Sequence, residues 1–272
     1  MALYTNVRKE QLGILLEYGF HLAEAKKYEI VRYQGPCSLI LFESGKLLVQ
    51  GQDDAVRAAQ QILKDRAIGS LVPKIAFKKY TGIYLGSDEC MKGDTFGGIV
   101  VAGVRANDHE RAQLIQIGVA DSKKLHDTEI VNLAEQIPKI ASATVLALTP
   151  RQYNAQLGKG NVTPLLNELH EAVREKLDSG ARATHVVDQF PGCRVGDRSE
   201  TKAEDSYVEV AAASILARAR ALQQFSDLSK TLGFPVPRGS THVKDALLEL
   251  QKRKLALEDF VKMHFKNVKE LL

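Results

Sequence analysis

The stretch GIYLGSDECMKGDTFGGIVVAGV, residues 82–104, decides how the larger part of this chain is read. Two apolar runs, Gly82–Leu85 and Gly98–Val104, bracket a loop that opens on two acids and carries glycines. Short apolar runs bounded by turn signals predict buried strands. Outward from this stretch the pattern continues. Ala143–Leu148 and Thr184–Val187 read as further strands. Thr128–Gln136, with Asp127 as its cap, reads as a helix. Pro164–Leu177 reads as another, with Thr163 as N-cap and Pro164 at the first helical position. Ser206–Leu222 is long and Ala-rich, and two final helices are expected over 243–254 and 257–265. Strands alternating with helices predict an α/β domain on a mixed sheet, residues 81–272.

Residues 1–66 carry a different pattern, that of a small α+β unit. Leu12, Leu15 and Leu16 suggest a first amphipathic helix, and Tyr28–Gln34 alternates as a half-buried strand does. In SLILFESGKLLVQG, two apolar runs flank Glu43–Lys46, a hairpin with Gly45 supplying positive φ. Asp53 or Asp54 then caps a helix whose apolar face is Ala55, Val56, Ala59, Ile62 and Leu63. That helix must cover one face of an antiparallel sheet and leave the other free. Tyr4, Tyr33 and Leu47–Val49 are expected on the free face. Residues 67–80, with Gly69, Ser70 and Pro73, read as an ordered linker.

The 272 residues are 44% hydrophobic and 26% charged, an ordinary globular composition with material for a core. A net charge of +4 is compatible with a polyanionic partner and decides little alone. The three cysteines, Cys37, Cys90 and Cys193, are far apart and form no CxxC pair, which argues against a disulfide framework or structural zinc. No run of about 18 apolar residues occurs, so no membrane span is expected. A cytoplasmic setting and a monomer are the expectations.

Three segments carry the chemistry. In GSDECMKGDTFGG, Asp88 and Glu89 follow a strand. In THVVDQF, Asp188 follows the apolar pair Val186–Val187. In TKAEDSYVEVAAASILARAR, Glu204 and Asp205 open a long helix that also carries Glu209. Carboxylates at strand ends are costly unless paired, protonated or bound to a cation. Oxygen-only ligands select Mg2+ or Mn2+ over zinc, and two such ions can drive phosphodiester hydrolysis. Acidic residues of this kind also serve as caps and turn residues, and spacing alone does not show that they converge.

These segments together resemble the ribonuclease HII/HIII family. The likeness rests on GSDE and the following GD-x-FG, DSKKL at Asp121–Leu125, VVDQF, and KAE with VAAASILAR. The type III branch is the closer fit. YNAQLGKGNVTPLLNELH (Tyr153–His170) and MHFKN (Met263–Asn267) look like its segments, and the N-terminal domain looks like its TBP-like substrate-binding domain. The resemblance implies an RNase H-like fold with a mixed five-stranded sheet flanked by helices. It also implies an endonuclease that uses Mg2+ or Mn2+ to cut the RNA strand of an RNA–DNA hybrid, leaving 5′-phosphate and 3′-hydroxyl ends.

The family's acidic quartet falls on Asp88, Glu89, Asp188 and Glu204, with Asp205 as the rival for the fourth place. Glu209 is left as a solvated or pairing residue, and Asp94 as a supporting or turn residue. Ser122, Lys123 and Lys124 become substrate-contact candidates, though a lysine pair is also ordinary surface. His242 and His264 are given no catalytic role. One departure stands out. The loop that usually reads Gly-(Arg/Lys/Thr)-Gly is here Met91, Lys92 and Gly93, so a long side chain stands where glycine permits close substrate approach. Two other readings follow. One is a hybrid-binding protein whose loop has decayed. The other is a type II-like enzyme that nicks DNA at single ribonucleotides.

Overall fold

The computed structural model describes residues 2–72, 77–158 and 160–271. They form two compact units, divided between residues 74 and 75. In the first, strands β1 (Ala2–Thr5), β2 (His21–Ala23), β3 (Glu29–Gln34), β4 (Ser38–Phe42), β5 (Leu47–Gln50) and β6 (Ser70–Val72) make an antiparallel sheet. Its order is β2-β3-β4-β5-β1-β6. A 3-10 helix, Lys9–Tyr18, and helix α1, Asp53–Asp65, pack on one face through Leu12, Leu15, Val56, Ala59 and Leu63. Gly45 turns the β4–β5 hairpin at φ +75°, as expected.

Strand parity corrects one expectation here. Side chains alternate between faces, so a row across the sheet shares one side. Tyr33, Leu39 and Val49 form such a row, and with Tyr4 and Leu47 they are buried under the helices. The opposite row is Arg32, Ile40, Leu48 and Leu3. Tyr4, Tyr33, Leu47 and Val49 are therefore core. Segment 67–80 is also not one piece. Ser70–Val72 pairs with β1, whereas Phe77 and Tyr80 pack within the second unit. Pro73 lies outside the described residues.

The second unit holds β7 (Tyr84–Cys90), β8 (Ile99–Ala106), β9 (Ser142–Leu148), β10 (Thr184–Asp188) and β11 (Arg198–Glu200). The sheet order is β11-β10-β7-β8-β9, with β7, β10 and β11 parallel and the other pairs antiparallel. This is the expected mixed five-stranded sheet flanked by helices. The helices are α2 (Asp108–Gln116), α3 (Asp127–Ile140), α4 (Pro150–Leu157), α5 (Val162–Lys176), α6 (Val208–Leu232), α7 (Lys244–Lys252) and α8 (Lys266–Lys269).

Two glycines set how closely helices approach the sheet. A Cβ at Gly86 would lie 2.2 Å from the Val210 backbone nitrogen, so glycine lets α6 press on one face. A Cβ at Gly103 would lie 2.3 Å from Val173 Cγ1, which brings α5 down on the other. Several sequence boundaries change, among them the start of α5, which opens at Val162 with Asn161 rather than Thr163 as its N-cap. Strand β7 runs on to Cys90, so Asp88 and Glu89 lie inside it; Gly86 and Ser87 interrupt the apolar run for packing reasons. Helices α2 and α4 were not expected. Over 257–265 a helix does not form beyond the 3-10 turn Leu257–Asp259. Val261 bridges to Phe96 and the Lys262 amide donates to the Thr95 carbonyl at 2.9 Å, which draws the backbone into extended pairing.

Candidate active site

Strands β7 and β10 lie side by side and parallel, with Val187 opposite Ser87. One residue further on, Asp88 and Asp188 emerge together at their carboxyl ends. Alternation puts Asp88 on the face of Gly86, toward α6. The chain leaving β11 turns at Lys202, φ +57°, into a short 3-10 helix, Ala203–Asp205, that leads to α6. That turn is tied to the strand because the Ala203 amide donates to Asp188 Oδ1 at 2.9 Å. Glu204 is thereby buried at 3% exposure, whereas Asp205 stays half exposed and pairs with Lys124. The geometry separates the two neighbours that the sequence left as rivals. Glu204 faces inward with Asp88 and Asp188 among its electrostatic neighbours.

The four carboxylates are unevenly compensated. Burial first, then Glu89, Asp188 and Glu204, push the Asp88 carboxyl well above its ordinary range. Burial first, with Glu204 and Glu89 adding to it, pushes Asp188 up to about 7, against the Ala203 amide. Burial also works to raise Glu89, but His170 and Lys92 outweigh it and hold Glu89 below the usual value. Lys92 Nζ donates to Glu89 Oε1 at 3.2 Å and Lys123 Nζ to Glu204 Oε1 at 3.0 Å. Glu89 Oε2 and Glu204 Oε2 are buried with no hydrogen-bond partner. A cavity of about 340 Å³ opens beside them, lined by Asp88, Glu89, Ser122, Lys123, Asp188 and Arg218 among others.

Oxygen-only donors, orphaned carboxylate oxygens and excess negative charge suit hard divalent cations. Among the described residues, no three His, Cys, Asp or Glu side chains are already disposed around one point to hold an ion. Asp88, Glu89 and Asp188 border a common cleft, Glu204 is buried close behind it, and two lysines occupy oxygens that a cation would take.

The loop after Glu89 corrects the expectation at Met91. Its backbone is left-handed at φ +71°, a conformation natural to glycine, but its side chain is 2% exposed and packs in the core beneath the loop. The Met91 side chain is thus not a substrate contact. The methyl carbon sits 2.0 Å from where a Gly97 Cβ would be. Gly93 has open space around it, and Lys92 lies over the Phe190 ring at 5.3 Å. Ser122 is buried beside the cleft, its carbonyl accepting from Arg218 Nη1 at 2.7 Å.

Other residues fall outside the cleft chemistry. Glu209 is fully buried and paired: Arg111 Nε donates to it at 2.7 Å and Tyr80 Oη at 2.5 Å. The pairing half of its expectation stands and the solvated half does not. Asp94 is a turn residue, accepting from the Gly239 amide at 2.6 Å, and it also lines the cavity. His242 is exposed, and the His264 ring packs on Tyr153 and Phe265.

Sequence reasoning passed over Arg218 and Arg238, which line the cleft and are both tethered to Asp127 at 2.9 Å. It also missed Lys262, fully buried with its Nζ on the Asp94 carbonyl at 2.5 Å. Burial pushes that ammonium down to about 7. Its signal was a lysine among the apolar residues of VKMHF. No described helix is long and apolar enough to cross a membrane.

The ribonuclease HII family model matches residues 85–268. Ribonuclease HIII of Bacillus pumilus is 33% identical over 262 residues, covering 86% of this chain and 85% of that protein. Ribonuclease HIII of Limosilactobacillus fermentum is 36% identical over 209 residues, 68% of each. Bst-RNase HIII, solved in complex with Mn2+, matches with a TM-score of 0.63 at 26% identity, over 98% of this chain and 97% of that one. The RNase HII of Archaeoglobus fulgidus, solved as a complex with PCNA, matches with a TM-score of 0.57 at 28% identity, over 68% of this chain and 96% of that one.

Proposed function

The chain belongs to the ribonuclease HII/HIII family as a metal-dependent endoribonuclease of the HIII type, and we propose that it hydrolyses the RNA strand of RNA–DNA hybrids, leaving 5′-phosphate and 3′-hydroxyl ends. The observation that carries this reading is the gathering of four buried or half-buried carboxylates, Asp88, Glu89, Asp188 and Glu204, in the last residues of β7 and β10 and the entry to α6, with two orphaned oxygens and two carboxyls pushed upward. Two Mg2+ or Mn2+ ions, when bound, activate a water and neutralise the leaving oxygen, so no protein nucleophile is needed. Asp88, central among the four, would hold the ions, together with Glu89 and Asp188, and Glu204 would support them.

The chain's own groups position the strand. Ser122, Lys123 and Lys124 lie at the short 3-10 helix Ser122–Lys124 beside the carboxylates, where lysines meet phosphates as point charges. The amides of Lys92 and Gly93 belong to a loop with open space at Gly93, which leaves room for a ribose 2′-hydroxyl. Met91 fills the core beneath that loop, which supports a packed loop over a decayed one. The first unit, read as a TBP-like domain, would hold the hybrid's sugar-phosphate surface with the partly exposed Arg32, Leu48 and Leu3 of that sheet row. Three free cysteines suit a reducing cytoplasm, and the enzyme acts as a monomer in this reading.

The test is cleavage of labelled RNA–DNA hybrid, and of a DNA duplex with one ribonucleotide, in Mg2+ or Mn2+. Wild type is expected to cut the hybrid and D88N to bind it uncut. Hybrid binding without any cutting by wild type, or cutting only at the single ribonucleotide, would overturn the reading.

A further inference from the structure

Ser87 and Glu89 are two residues apart on β7 and so share the face that α5 covers. On α5, Leu166, Leu169, His170 and Val173 recur at i, i+3, i+4 and i+7, the spacing of a buried stripe. His170 is the polar member of that stripe, and it is fully buried. Its Nδ1 lies 2.8 Å from Ser87 Oγ, and its Nε2 lies 3.5 Å from Glu89 Oε2. The same Ser87 Oγ lies 2.8 Å from Nε2 of His185, a 1% exposed residue of β10. Four side chains from β7, α5 and β10 thus form a file that starts at the cleft and runs inward.

Counting protons gives the file a direction. Glu89 Oε2 and His170 Nε2 are buried and have no other partner. An ionised carboxylate only accepts, so the approach is favourable when His170 Nε2 carries the proton. The neutral ring then has a bare Nδ1, which must accept from the Ser87 hydroxyl. That hydroxyl has one proton, already given, so it accepts in turn from His185 Nε2–H. His185 is left with a bare Nδ1, which is the buried ring atom found without a partner. An under-satisfied acceptor is a cheaper orphan than a buried N–H. The reverse direction needs both His170 nitrogens protonated to keep an N–H on the carboxylate, and it then leaves His185 Nδ1 as a buried N–H without a partner. Burial, which holds His185 down to about 4, keeps that ring neutral as the scheme requires.

We propose that His170 is a positioning residue for Glu89. Held by Ser87 and His185 in its Nε2–H form, it engages Glu89 Oε2 and so presents Oε1 to the cleft and a divalent ion. The 3.5 Å separation must close by about half an ångström to become a full hydrogen bond. Groups that orient a metal's ligands change metal affinity or activity by about 10–100-fold when removed. This inference rests on the reading of Glu89 as a metal ligand.

Four proteins test it: wild type, H170L, H170Q and E89Q. Mn2+ is titrated into each metal-free full-length chain by calorimetry, unfolding without metal is recorded, and kcat and KM are measured on the hybrid. H170L is expected to bind Mn2+ about 10–100-fold more weakly and to lose kcat by a similar factor with KM little changed. H170Q, whose amide N–H reaches the same oxygen, recovers most of both. Imidazole 15N spectra of wild type are expected to show His170 carrying a proton on Nε2 and His185 as a neutral Nε2–H form. A His170 protonated at Nδ1 only, or an H170L that folds with wild-type Mn2+ affinity while E89Q loses it, overturns the positioning role. An E89Q with unchanged Mn2+ affinity overturns instead the assignment of Glu89 as a ligand.

Discussion

Two places in the second unit bury carboxylates beside α6, and they are built on opposite terms. Around Glu209, each carboxylate oxygen meets a donor. Arg111 gives its Nε to Glu209, an Nη to Asp108 at 2.5 Å and the other Nη to the Gly82 carbonyl at 2.9 Å. Tyr80 completes the Glu209 contacts, and its ring lies 4.2 Å from the Arg111 guanidinium. Around Asp88, four carboxylates meet two lysines, and two buried oxygens have no hydrogen-bond partner. The first cluster is complete as folded. The second carries a standing electrostatic cost, tolerable where a cation can offset it. The contrast shows why buried acids alone do not mark a site: the missing partners do.

Breaking the complete cluster should have the largest effect. R111M leaves Glu209 buried without its cation, and chemical denaturation is expected to show a loss of about 3–5 kcal/mol. Residual folded enzyme should keep its kcat, since Arg111 does not line the cleft. A loss below about 1 kcal/mol would mean that the two clusters do not differ as described. Neutralising a member of the incomplete cluster should act in the opposite direction. Metal-free D188N is expected to be more stable than metal-free wild type at pH 8 by on the order of 1–2 kcal/mol. The side-chain carbonyl introduced by D188N still accepts from the Ala203 amide, so the turn is kept. A less stable D188N would show that the repulsion is small.

The smallest effect is a slope with pH. Asp188 titrates near 7 in the folded state and near its ordinary value of 3.8 when unfolded. The folded protein therefore holds the extra proton between those limits. The stability this contributes is present below about pH 4 and lost as pH rises through about 7. Metal-free wild type should lose stability relative to D188N gradually over that window, by about the same 1–2 kcal/mol in all once solvent screening of a partly exposed carboxylate is allowed for. Urea unfolding at a series of pH values reads it directly, and parallel profiles would contradict the assigned repulsion.

Apolar runs made β8 and β10 legible, because burial on both faces leaves a continuous signature, and the half-buried edge strand β9 was legible from its apolar composition. Strand β7 was cut short in the reading, since Gly86 and Ser87 look like a turn. One is glycine because a helix presses on it, the other serine because two histidines meet there. Helix α2 was missed because its buried residues are only Arg111 and Leu114. The acids were legible as residue types. Choosing Glu204 over Asp205 required the turn at Lys202, and placing Tyr4 and Tyr33 required strand register, because direction is not written in composition. His170 was hidden for a related reason: its place in an apolar stripe reads as core until its partners are known.

Met91 and Gly97 carry a consequence of another kind, for inheritance. The methionine's terminal carbon fills the space of any side chain at 97, and position 97 itself holds φ +81°. Neither residue can be judged singly by its tolerance to change. A mutation at 97 meets a steric block as long as methionine stands at 91. Shortening 91 first removes the block and leaves the backbone preference and a close approach to Gln224 Oε1, 3.3 Å from the new Cβ. The order in which two such substitutions arise therefore decides whether a lineage can pass between them, and a glycine at 91 would open a path that is closed from the present sequence.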